Sequence, residues 1–272
     1  MSLNYKFYIN FIINIMSLII SPWFGSLGNN VLQIIRAIHY AKINNYNIIK
    51  LEKHNAFSEQ EIIISNNNDN VNKPTIKNTF FYPQKLNYTD PDPYIMREYF
   101  QTYIMPIFFV KSEIETTEND LYIHIRSGDS WRQGPYYVLP PLSYYEKIIE
   151  SKQWNRIEII NEDNINPCVR KLKEKNYKNI NFTSGSLIND INIMKNCQNL
   201  AIGFGTFGLL FYFLSKNIKT LYIPRYVYDE MPKGDWGINM EIIDMPGYIK
   251  CGEWNPWVNK ERIVNIMLNY KL

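Results

Sequence analysis

In the run Tyr122-Ile123-His124-Ile125-Arg126-Ser127-Gly128-Asp129, a histidine, an arginine and a Gly-Asp turn stand together at the end of an apolar stretch. Alternation puts Leu121, Ile123 and Ile125 on one face of a strand and Tyr122, His124 and Arg126 on the other, so the two basic residues emerge side by side before Gly128 turns the chain. A guanidinium at that point offers a planar fork of donors that fits a diphosphate. It can stabilise a departing diphosphate without a metal ion. The alternative is a capped strand end with an Arg–Asp surface pair.

With those residues in view, His124-Ile125-Arg126-Ser127-Gly128-Asp129 resembles the H-x-R-x-G-D motif of GDP-fucose fucosyltransferases, particularly the α1,2-fucosyltransferases of glycosyltransferase family 11. Three more segments agree in order. Gly25-Ser26-Leu27-Gly28-Asn29-Asn30-Val31-Leu32-Gln33 is similar to that family's G-G-L-G-N-Q-L-F-Q opening, with Ser26 and Asn30 as departures. Asp190 to Cys197 matches D-x-x-x-M-x-x-C, and Gly203-Phe204-Gly205-Thr206-Phe207-Gly208 stands where the family has S-N-S-T-F-S, keeping only Thr206 and Phe207. The glycines remove hydroxyl donors and leave backbone N–H groups as substitutes.

The resemblance implies an α/β, GT-B-like enzyme of two Rossmann-like domains with a cleft between them: an acceptor-side domain over 16–117 and a GDP-sugar-binding domain over 118–272. It implies inverting transfer of fucose from GDP-fucose to a glycan hydroxyl, an α1,2 linkage to galactose, with no metal and no further cofactor. Arg126 would neutralise the leaving diphosphate, His124 would help hold it, and Thr206 with the backbone at Gly205 and Phe207 would complete the cradle. Asn29, beside Gly28, would reach in from the opposite domain. Asp129 would orient Arg126 or act on the acceptor hydroxyl. Glu162 and Asp163, at the end of the next strand, could accept hydrogen bonds from a guanine or ribose, or else cap a helix. The eroded serine motif keeps two other readings open, a transferase using another nucleotide sugar and a catalytically silent glycan- or nucleotide-sugar-binding module.

The elements that must position these residues read as two α/β halves. The first has a strand ending near Pro22, a helix over Val31–Ile43 with Leu32, Ile35 and Ile38 on one face, a strand over Ile48–Leu51 and an aromatic-rich helix over Tyr94–Val110. A polar link over Glu113–Asp120 marks the boundary. The second half alternates strands at the His124 segment, Arg156–Ile160, Leu200–Ile202 and Thr220–Ile223 with helices near Ser143–Ser151, Asn189–Asn196, after Gly208 and over Lys260–Tyr270. The Asn-rich loop Ser65–Pro74 carries no motif. Trp236, Trp254 and Trp257, with Tyr226, Tyr228 and Asp235, either line a sugar-acceptor surface or pack the core.

Composition bounds the rest. The 272 residues, 46% hydrophobic and 15% aromatic, can bury a large core. A net charge of +3, with no basic cluster interleaved with aromatics, excludes a nucleic-acid partner from the reading. Three scattered cysteines, Cys168, Cys197 and Cys251, support neither a disulfide framework nor a zinc site and point to a reducing, cytoplasmic setting. Residues 5–20 are apolar but broken by Asn10 and Asn14, too short and polar for a membrane span. Two readings stand for them: an upstream extension before a second start at Met16, or a weak peripheral membrane anchor.

Overall fold

Short apolar runs separated by helical segments build a fold of parallel strands with crossover helices, because parallel neighbours need a long return path. In the computed structural model, which describes residues 17–65, 74–109, 117–128, 137–251, 254 and 256–272, these runs form two sheets. The first takes β1 (Ser17–Ile20), helix α1 (Leu27–Ile43), β2 (Ile48–Leu51), β3 (Glu61–Ile63) and β4 (Ile76–Asn78), in the order β3-β2-β1-β4, with only β3 antiparallel. Helix α2 (Pro93–Tyr99) follows. It passes into a π-turn over Phe100–Ile104 and a 3-10 turn over Met105–Ile107, where Pro106 removes a backbone donor, so the long helix expected over Tyr94–Val110 is broken into three pieces.

The second sheet is wholly parallel. Its chain order is β5 (Asp120–Ile125), α3 (Leu142–Ile149), β6 (Arg156–Asn161), α4 (Pro167–Glu174), β7 (Ile180–Thr183), α5 (Leu187–Met194), β8 (Asn199–Ala201), α6 (Thr206–Leu214), β9 (Thr220–Pro224), α7 (Arg225–Tyr228) and β10 (Asn239–Ile243), closed by α8 (Pro256–Asn269). In space the strands run β10-β9-β8-β5-β6-β7. From β5 the chain winds out to β7, then returns to β8 and winds the other way. The crevice of such a sheet opens between β5 and β8, at the carboxyl ends of the strands. Two Rossmann-like sheets of this kind make the molecule α/β and GT-B-like. Strands β3, β4, β7 and β10 were not foreseen, since stretches such as Ile76-Lys77-Asn78 and Asn239-Met240-Glu241 mix polar and apolar residues without the apolar runs that marked β2, β8 and β9.

Packing joins the halves more closely than a bare cleft implies. Tyr122, Ile160, Leu200 and Leu221, on one side of the second sheet, share a single buried core with α1, β1, β2, Phe100 and the whole apolar length of α6. Leu121, Ile123 and Ile125 face a separate core with α3, α4 and Trp254 on the other side. The predicted alternation along β5 therefore holds, although every residue of that strand is buried. Helix α6 is the shared element. Arg97 donates to the carbonyl of Ser215 (2.7 Å), and Gln101 to those of Phe213 (2.6 Å) and Leu214 (3.0 Å), so α2 and its π-turn satisfy the open carbonyl end of α6.

The expectation of membrane association through the N-terminal apolar segment is corrected. Among the described residues no helix is long and apolar enough to cross a membrane. The last four residues of that segment are β1, where Leu18 and Ile20 are fully buried between α1 and the neighbouring strands, so their apolar surface is spent on the core. Residues 1–16 lie outside the described residues.

One buried polar cluster shapes the turn after β1. Gln33, with no exposed surface, accepts from the Phe24 N–H (2.9 Å) and donates to the carbonyls of Pro22 (3.3 Å) and Thr79 (2.6 Å), while Asn30 donates to the Phe24 carbonyl (3.1 Å). Replacing Gln33 by leucine strips three backbone groups of their partner. Gln33→Leu is expected to lower unfolding stability by about 3 kcal/mol in urea titration, against under about 1 kcal/mol for the exposed control Ile63→Ala.

Candidate functional site

The site forms because several chain turns end at the same edge. Beyond the carboxyl ends of β5 and β6 and beside the starts of α1, α5 and α6 lies a cavity of about 310 Å³. Ser26 and Leu27 enter it from α1, His124, Arg126 and Ser127 from β5, Ile160 and Glu162 from β6, Gly185, Leu187 and Asp190 from the α5 turn, and Phe207 from α6. Neither Ser26 nor Gly205 caps its helix through a side chain, and α1 carries no acidic residue in its first turn. The positive ends of two helix dipoles and their first-turn N–H groups are thus directed at the same region.

Helices α1 and α6 meet with almost no space between them. A Cβ on Gly28 would lie 2.6 Å from the Thr206 carbonyl carbon and 2.7 Å from the Phe207 nitrogen, so only glycine permits this approach. Next to it, the Thr206 hydroxyl donates to Oδ1 of Asn29 at 2.5 Å, bridging the two halves. Gly25, at φ +67°, leaves room for the Asn29 amide, since a Cβ there would fall 2.1 Å from Nδ2. Gly205 adopts φ +112° and ψ 153°, backbone space open essentially to glycine alone.

His124 and Arg126 do emerge together, but with different electrostatics. The His124 ring is packed edge-on against Phe207 (5.3 Å) and Phe211 (5.6 Å). Burial first, and the Arg126 charge second, push its pKa down to about 3. It is a neutral imidazole at ordinary pH, a hydrogen-bonding group rather than a second cation. The Arg126 side chain is 19% exposed and lies 3.8 Å from the Glu162 carboxylate. Glu162 also crowds the turn at Gly128, where a Cβ would fall 2.4 Å from its Oε2 and where φ is +55°.

Asp163 is engaged differently from Glu162. Its carboxylate accepts from the Ser127 hydroxyl and from the Ile165 N–H (2.8 Å). Asn166, buried, donates from its backbone to the Ser127 oxygen (3.1 Å) and from its amide to the Arg126 carbonyl (2.9 Å), and caps α4 by accepting from the Cys168 N–H. Asp163 therefore fixes the loop that carries Arg126, and the cap of α4 is Asn166. Asp129 lies outside the described residues.

Sequence reasoning missed Asp190. It is 92% buried by surface area, faces the cavity, and its Oδ1 has no hydrogen-bond partner among the described residues. Burial pushes its pKa up to about 6. A signal existed, since Asp190 and Met194 fall at i and i+4, on the face of α5 that Met194 buries fully. The tryptophans resolve toward packing: Trp236 is held between Tyr212 and Tyr228, and Trp254 against Tyr248, both nearly buried, and Trp257's side chain lies outside the described residues.

Because the folded pKa of Asp190 is raised, its charge costs stability fully above pH 6, and the cost fades to nothing below about pH 4, where the carboxyl is protonated in both states. Asp190→Asn is accordingly expected to raise unfolding stability at pH 8 by on the order of 1 kcal/mol, discounted for partial solvent access, with the gain vanishing in melts at pH 4.

The family model for glycosyl transferase family 11 matches residues 28–234, which take in α1, the β5 motif, the Asp190 helix and the start of α6. No curated protein and no solved structure matches the chain. With a cavity of about 310 Å³ beyond the carboxyl ends of β5 and β6 and this match over most of its length, the chain belongs to glycosyl transferase family 11 and is a fucosyltransferase, acting between a nucleotide-sugar donor and a glycan acceptor.

Proposed function

We propose that the chain transfers fucose from GDP-fucose to a glycan hydroxyl, forming an α1,2 linkage to galactose with inversion and without a metal ion. The observation that carries this reading is the pairing of opposite chemistries in one cavity. Arg126 and the uncapped starts of α1 and α6 supply positive potential suited to a diphosphate, and the Asp190 carboxylate, which lines the same cavity, supplies an acceptor suited to the N1–H and 2-amino donors of a guanine.

In this reading the acceptor oxygen attacks the anomeric carbon as its bond to the β-phosphate oxygen breaks. The acceptor gives up its proton, and GDP departs with the extra negative charge. Arg126 takes up that charge at the diphosphate, assisted by first-turn N–H groups at Gly205–Phe207, while neutral His124 donates or accepts one hydrogen bond beside it. Thr206 and Asn29 hold the two helix starts in register, so their role is to keep the cradle assembled. Glu162 keeps Arg126 aimed until the diphosphate displaces it. Asp129 is assigned to the acceptor proton or to the orientation of Arg126.

The glycines at 203, 205 and 208 favour one competing donor reading, because fewer hydroxyls contact the sugar. GDP-fucose and GDP-mannose turnover therefore belong in the same assay. GDP release from GDP-fucose is expected to be stimulated by galactosides and to persist in EDTA. Arg126→Ala is expected to reduce it about a thousandfold. Faster release from GDP-mannose would overturn the fucose assignment.

GDP binding supplies a second test. It is expected to weaken as pH falls through 6, because protonated Asp190 loses an acceptor site, and Asp190→Asn is expected to bind about tenfold more weakly at pH 8 with a flattened pH profile by calorimetry. An unchanged profile would remove Asp190 from the nucleotide site.

A further inference from the structure

The turn after β1 presents an aromatic surface that the donor reading leaves unused. Phe24 is 40% exposed, although it is two residues from Ser26 on the cavity wall, a reach of under about 8 Å along the chain. Its ring packs against Phe81 at 4.4 Å and edges Tyr82 at 5.8 Å, and Lys85 lies over the Tyr82 ring at 4.5 Å. Phe81 and Tyr82 follow β4 just as Phe24 follows β1, so the rings stand together at the carboxyl edge of the first sheet. They belong to the half opposite Arg126.

Exposure of such a ring costs free energy, and here the backbone beneath it is held by buried groups. Gln33 and Asn30, both almost wholly buried, spend their hydrogen bonds on Pro22, Phe24 and Thr79. A turn tied down by four hydrogen bonds from buried side chains that still leaves its phenyl ring 40% exposed is built to present that ring.

We propose that Phe24, flanked by Phe81 and Tyr82, is the platform on which the acceptor sugar stacks. The proposal rests on the glycosyl-transfer reading and adds the acceptor's place and the residues that hold it. The chemistry selects a pyranoside with one face made of C–H groups. An axial 4-hydroxyl puts H3, H4 and H5 of a galactoside on the same side, and such weakly positive hydrogens pack on the negative face of an aromatic ring. The free edge of the sugar then points along Ser26 and Leu27 toward the donor cavity, with its hydroxyls in water or facing the anomeric carbon.

The test uses the intact chain, lactose as probe, and saturation-transfer NMR with and without saturating GDP. Saturation is expected at the galactosyl H3, H4 and H5, lost in Phe24→Ala and retained in Phe24→Trp. In turnover, Phe24→Ala is expected to raise the KM for lactose at least tenfold and to leave the KM for GDP-fucose within twofold. No saturation of lactose by the intact chain, saturation that survives Phe24→Ala, or a loss confined to the donor KM would each overturn the platform. Lactose saturation at those protons without any GDP binding would instead sink the donor reading and leave the platform standing.

Discussion

The contact on which the rest depends is the abutment of two helix starts, α1 and α6, at Gly28 and Thr206. With no Cβ at position 28, the backbones close to a distance that no other residue allows, and the Thr206–Asn29 hydrogen bond sets their register. Helix α6 is then fixed at its far end by Arg97 and Gln101, so one nine-residue element is gripped by the first half at both ends while its flank covers the second sheet. The result is that first-turn N–H groups from opposite halves of the molecule address one cavity. A ligand there meets a preset field rather than one assembled on binding.

That field is economical in formal charge. His124 is neutral because burial among two phenyl rings and a neighbouring guanidinium make protonation costly, which leaves Arg126, just after β5, as the cation beside it, tempered by Glu162. Asp190 carries the opposite strain, a carboxylate with an unused acceptor in a mostly buried wall. Unsatisfied groups of this kind lower stability.

Much of this was visible in the chain. The alternation through β5 put His124 and Arg126 on one face, the glycine-rich Gly203–Gly208 segment left backbone N–H groups as donors, and the strand and helix order implied two Rossmann-like halves. Less visible was anything set by burial. Asp163 and Glu162 are neighbours in sequence, yet the first is spent on Ser127 and Ile165 while the second faces Arg126 and the cavity. For the tryptophans the sequence left a sugar surface and core packing both open, and Trp236 and Trp254 pack inside, whereas an exposed aromatic ring fell to Phe24, an unremarked member of the first turn. For the apolar N-terminal segment a peripheral anchor was one of two readings, and its end is the buried strand expected before Pro22.

Local chemistry therefore determined which residues could bind a diphosphate and which segments would be strands, because both follow from side-chain type and periodicity over a few positions. The tertiary structure alone decided protonation, availability and partnership: that His124 is neutral, that Oδ1 of Asp190 has no hydrogen-bond partner among the described residues, that Asn29 meets Thr206 across 177 positions of sequence. Those properties depend on desolvation and on distances between segments far apart in the chain. No local pattern encodes a dielectric environment or a contact until the core has closed around it.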